Sequence, residues 1–115
     1  MPFSDFEKDL IAALRMVRRR PAWLGSQSFE RLCGFISGFT MARLAPGEED
    51  PPLFKKFSQW QRTHTGIDKE AGWSQFTRFY SVDDRGAYEA FFHDFDLFIE
   101  EMEKADAGGG DRDVG

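Results

Sequence analysis

Ser81-Val82-Asp83-Asp84-Arg85-Gly86-Ala87-Tyr88-Glu89-Ala90-Phe91-Phe92-His93-Asp94-Phe95-Asp96-Leu97-Phe98-Ile99-Glu100-Glu101-Met102 is the stretch that decides the fold class. Tyr88, Phe91, Phe92, Phe95, Phe98, Ile99 and Met102 recur every three or four residues, the spacing that gathers side chains on one face of an α-helix. Asp94, Asp96, Glu100 and Glu103 fall on its other faces. Ser81 and Asp84 have capping-box-like spacing, with Asp in place of the usual Glu, and mark the expected start. A stripe this long needs other apolar faces to cover it.

Working upstream, each remaining segment reads as a helix or a connection. Ser4 and Glu7 have capping-box spacing, and Phe3, Phe6, Leu10, Ala13, Leu14 and Val17 form the stripe that follows. Arg18–Arg20 complement the helix C-terminus, and Pro21 stops it. Pro21–Gly25 reads as a short extended connection whose Trp23 and Leu24 plug the core. Ser26 or Ser28 caps a second helix, running to about Leu44. Its apolar residues wrap around more than one face, and Gly34 with Gly38 would let another helix approach closely. The stretch 45–52 reads as a surface loop, and Pro52 opens a third helix with Leu53, Phe54, Phe57 and Trp60 facing inward. After a polar connector at 67–72, Trp73, Phe76, Phe79 and Tyr80 suggest a short fourth helix. Residues 107–115 form a Gly- and Asp-rich tail expected to be disordered. With no strand pattern in competition, the expected fold is all-α: a compact single-domain bundle of four or five helices over residues 1–106. Phe35, Phe39, Trp60, Phe91, Phe95 and Phe98 are its expected buried aromatics.

Composition supports a folded chain. Hydrophobic residues make up 41% and aromatic residues 16% of the 115, including 13 Phe, a loading foreign to disordered chains. The formal net charge of −5 is uneven. Residues 83–106 carry −7, whereas residues 1–82 carry +3 with a basic patch at Arg18, Arg19 and Arg20. The single cysteine, Cys33, excludes an internal disulfide framework and fits a reducing compartment. No signal peptide is recognisable, and no apolar run approaches the roughly 18 residues of a membrane span. The expectation is a cytoplasmic protein with no membrane association.

Residues able to carry chemistry are sparse. Glu89, His93, Asp96 and Glu100 share one helix face, but a metal site would need matching ligands from a second helix, and no other segment offers Glu-x-x-His. They read as a solvated acidic face. Cys33 sits among apolar neighbours and reads as an inert thiol. Gly108–Gly110 lacks the preceding strand and following helix of a phosphate-binding loop. The reading is a non-enzyme with no cofactor and no metal. Arg15 and Arg18–Arg20 could meet nucleic-acid phosphate, yet a sequence pI near 5.0 disfavours that role. Helix capping and salt bridges to the acidic last helix are the expected use of these arginines.

The segment Leu14–Gly25, with Arg18-Arg19-Arg20-Pro21 and Leu24-Gly25, resembles the R-x-R-P-G-M-Y-I-G segment of type II topoisomerase ATPase subunits. The chain lacks the Asn-bearing helix and the Asp-x-Gly-x-Gly loop that would accompany it, so a shared helix-stop-turn design explains the match. A broader likeness rests on Arg20-Pro21 with Leu24-Gly25, Phe35–Phe39 with Gly38, Phe57–Trp60, Trp73–Phe76, and Asp84-Arg85 through Phe91-Phe92 to Phe98. In these the chain resembles short uncharacterised bacterial proteins with an R-P-x-x-[LI]-G turn, candidate immunity proteins beside toxin genes. That resemblance implies a protein-interaction module that binds and occludes a toxin, with nucleic-acid-binding or regulatory work through Arg15–Arg20 as the alternative. For a basic partner, the expected contact residues are Asp94, Asp96, Glu100, Glu101 and Glu103, since acidic surfaces speed encounter with basic partners.

Overall fold

Ser4 and Glu7 make the reciprocal cap that their spacing implies. The Glu7 N–H donates to the Ser4 hydroxyl at 3.2 Å, and the Ser4 N–H donates to the Glu7 carboxylate at 2.9 Å. Helix α1 (Asp5–Arg19) follows, burying Leu10, Ile11, Leu14 and Val17. The computed structural model describes residues 3–43, 52–66 and 72–114, without the side chains of Pro52 and 107–114.

Pro21 stops α1 as expected, but the connection is wound, not extended: Pro21–Leu24 form a turn of 3-10 helix. It ends at Gly25, whose φ of +90° is a left-handed value that L side chains rarely adopt. Leu24 packs against the core, whereas Trp23 is 58% exposed, which overturns its reading as a core plug. The tight turn swings the Trp23 side chain outward, beside Arg20.

Helix α2 (Phe29–Arg43) buries Phe29, Leu32 and Ile36 and touches α1, the 3-10 turn and the last helix. Cys33, Phe35 and Phe39 are half-buried against the core, while Met41 near the end of the helix is 80% exposed. Gly34 and Gly38 were expected to admit a close helix, yet a Cβ at either would meet nothing within 4 Å among the described residues. Helix α3 (Pro52–Thr65) begins at Pro52 and closes at Gly66, where φ is +71° and the N–H donates to the Arg62 carbonyl at 2.9 Å. Helix α4 (Trp73–Phe79) buries Phe76 and Thr77. Phe79 and Tyr80 are 69% and 49% exposed, so the expected inward stripe ends at Phe76.

Helix α5 (Asp84–Val114) is the axis of the bundle, packing against α2, α3 and α4. Its stripe is buried as read, from Tyr88 through Ile99, with Met102 half-buried. The start differs from the Ser81 reading. Asp83 caps α5 by accepting from the Gly86 N–H at 2.6 Å, while the Ser81 hydroxyl donates back to the Thr77 carbonyl. That frees Asp84 for a longer reach. Its two carboxylate oxygens accept from the N–H groups of Phe29 at 3.1 Å and Glu30 at 3.0 Å, so α5 caps α2. Ser28 contributes the local cap, accepting from Arg31 at 3.2 Å.

The core is aromatic. Phe57 of α3 lies at its centre, fully buried, with Phe91, Phe95 and Phe98 of α5 at 5.7, 5.4 and 5.3 Å between ring centroids. Trp73 brings α4 into the same cluster by stacking on Phe54 at 4.9 Å. Phe91, Phe95 and Phe98 are buried as expected, while Phe35, Phe39 and Trp60 are half-buried at its margin. The protein is thus an all-α bundle of five helices, with no strand among the described residues. The loop expected at 45–52 and the connector at 67–72 fall largely outside the described residues, whereas the backbone of α5 runs on through 107–114, the stretch expected as a disordered tail.

Candidate functional site

The five carboxylates proposed from sequence do not form one face. At 3.6 residues per turn, Asp94 and Glu101 lie on one flank of α5, while Asp96, Glu100 and Glu103 lie on another. Each group has an occupant from this chain. Arg18 pairs with Asp96, Arg15 approaches Glu103 at 3.9 Å, and Lys104 pairs with Glu100 at 3.1 Å. On the other flank the Trp60 indole N–H donates to Glu101. Asp94 is half-buried, and burial raises its carboxyl above the usual range against the opposing pull of His93, Gln61 and His64. The surface pairs are worth about 1 kcal/mol or less each to stability. Their larger consequence is electrostatic: α1 neutralises the side of α5 that it faces.

This leaves α1 with a different free charge. Arg15 and Arg18 turn toward α5, whereas Arg19 and Arg20 have no carboxylate partner among the described residues. With Met16 and Trp23 they line a groove of about 250 Å³. Met16 is 46% exposed, and the Arg20 guanidinium sits 6.0 Å from the centre of the Trp23 ring. The turn that presents Trp23 is tied at its end. Arg31 Nη1 donates to the Leu24 carbonyl at 2.8 Å, and a Cβ at Gly25 would lie 2.1 Å from that same nitrogen.

A second hollow of about 250 Å³ lies where Glu30, Arg78, Asp83 and Asp84 meet. Three of these four charges, Arg78, Asp83 and Asp84, are committed to structure, and Asp83 caps α5. Asp84 caps α2, and the Arg78 guanidinium lies 5.6 Å from the centre of the Phe29 ring. Burial raises the Cys33 thiol above its ordinary value of 9.0, with Arg78 opposing, so the thiolate is scarce near neutral pH. His64 stacks on Trp60 at 4.5 Å, and His93 is exposed on α5. Among the described residues no three His, Cys, Asp or Glu side chains converge on a metal-sized site, and no helix is long and apolar enough to cross a membrane.

Sequence reasoning found Arg19 and Arg20 but assigned Trp23 to the core and passed over Met16. One signal for the groove was legible. Met16 falls off the stripe marked by Leu10, Leu14 and Val17, one helical turn before Arg20. No protein-family model, no curated protein and no solved structure matches the chain.

Proposed function

We propose that this chain is a non-enzymatic protein-interaction module that meets its partner at the Met16–Trp23 end of α1. The observation that carries the reading is Trp23. It is a large aromatic side chain held outside an aromatic core, on a pinned turn, beside two arginines without a carboxylate partner among the described residues. Trp and Arg are the residue types that most often dominate binding energy at interfaces. Presenting them on a turn fixed by Pro21, Gly25 and Arg31 reduces the ordering cost of association. In the toxin-occluding reading, the carboxylates of α5 supply the contact. Here Arg15, Arg18, Lys104 and Trp60 already engage four of them, so we assign the contact to the groove instead.

The experiment is affinity recovery of partners from cells that express the chain naturally, comparing wild type, Trp23→Ser and a Glu100→Lys/Glu101→Lys double variant. The reading requires a specific protein that is lost with Trp23→Ser and retained by the double variant. The opposite pattern returns the interface to the acidic helix. Equal recovery by all three excludes both surfaces.

A further inference from the structure

Resting on that reading of the groove, we infer that its partner offers an acidic peptide segment with one apolar side chain. Charge complementarity supplies the first half. Arg15 and Arg18 are compensated by Glu103 and Asp96, but Arg19 and Arg20 meet no carboxylate among the described residues. Two arginines lining one groove match carboxylates on an incoming segment, and Arg can hold a carboxylate through paired N–H donors. The groove supplies the second half. Its remaining walls are Met16 and Trp23, one adaptable thioether and one flat ring. Its volume of about 250 Å³ falls below the roughly 300–1,000 Å³ of clefts for drug-sized ligands. The space suits a single apolar side chain between flanking acids.

A single-stranded nucleic acid could also stack on Trp23 with phosphates at Arg19 and Arg20. That mode needs a basic path along which the backbone continues. Here the next arginines along α1, Arg15 and Arg18, are already paired with Glu103 and Asp96, so a backbone leaving the groove finds no further free arginine along that helix. A short segment needs only the two arginines of the groove.

The probe is a fluorescein-labelled nonapeptide with a central leucine, four glutamates and serines elsewhere, titrated with the full chain and read by anisotropy. Comparison probes replace leucine with serine, replace the glutamates with lysines, or substitute an oligothymidylate of equal length. The acidic leucine peptide should bind, and raised salt should weaken it. Affinity should drop at least about tenfold with the leucine removed, and again in the Arg19→Ser/Arg20→Ser variant. Unchanged thermal unfolding of that variant shows that the loss arises at the surface. The inference is overturned if the acidic peptide does not bind, if the double variant binds it equally, or if the lysine peptide or the oligonucleotide binds more tightly. Absence of peptide binding removes this inference alone. Partner recovery indifferent to Trp23→Ser removes the functional reading beneath it.

Discussion

Replacing Asp84 with alanine should destabilise the bundle by loosening α2, a helix whose first residue lies 55 positions away in sequence. Its carboxylate satisfies two of the N–H groups left free at the start of α2, at 3.1 and 3.0 Å. Loss of a capping side chain typically costs about 0.5–2 kcal/mol. Two N–H groups lose their acceptor at once, which argues for the upper half of that range. Ser28 still caps Arg31, which prevents a larger loss. For a domain of this size, about 1–2 kcal/mol lowers the thermal midpoint by roughly 4–10 °C. Asp84→Asn should cost nearly as much, because its amide can turn only one acceptor toward the two N–H groups.

The pH dependence has a definite sign. Burial acts to raise the Asp84 pKa, but hydrogen bonds from the Glu30 N–H, the Ser28 hydroxyl and the Phe29 N–H, helped by Arg78, outweigh it. They hold the group below its ordinary 3.8. A lowered folded pKa favours the folded state above the unfolded value, and that contribution is lost as pH falls through the folded pKa. The wild-type advantage over Asp84→Asn should therefore be full near neutrality and shrink progressively below about pH 4. Urea unfolding of both proteins across this range is the assay. A difference below about 0.3 kcal/mol at neutral pH, or one that grows on acidification, would refute the cross-helix cap.

Four further substitutions concern stability. Phe57→Ala removes the ring at the centre of the cluster and should cost about 3–5 kcal/mol, with loss of near-ultraviolet aromatic signal before helical signal on heating. Gly34→Ala should stabilise by about 0.5–1 kcal/mol, because the added methyl meets nothing within 4 Å among the described residues. By contrast, Gly25→Ala should destabilise by at least about 1 kcal/mol through its left-handed backbone and the clash with Arg31, as chemical denaturation of both would register. Asp94 has a raised pKa, so its contribution is full below the unfolded value and lost as pH rises through the folded one. Asp94→Asn should flatten that part of the pH–stability curve, and an unchanged curve would show that the burial of Asp94 has no energetic consequence.

The legible features of this sequence were those set by local spacing. The Ser4–Glu7 cap, the stops at Pro21 and Gly66, and the Tyr88–Met102 stripe each follow from residues within a few positions of one another. Features set by distant partners were not legible. Asp84 looked like part of its own helix cap, because nothing nearby in sequence announces the start of α2 as its target. Gly34 and Gly38 had the right spacing for a close helix, but spacing does not say whether a helix is there. Trp23 was misread because a large apolar residue is normally buried, and only the winding of Pro21–Leu24 turns it out. The acids of α5 were read correctly as off the stripe. Salt bridges from the α1 arginines to the last helix were expected and are present at Arg15–Glu103 and Arg18–Asp96, but which acids pair, and the contact of Trp60 with Glu101, depend on helix packing that periodicity cannot give.

Photo-crosslinking in native cells tests the central claim most directly. A benzophenone side chain is placed at position 23 in one protein and at position 100 in another. The account predicts one dominant protein adduct from position 23, competed away by unlabelled wild type but not by Trp23→Ser. Position 100 should give little of that adduct. The same adduct in greater yield from position 100, with none from position 23, would contradict the account and place the interface on α5.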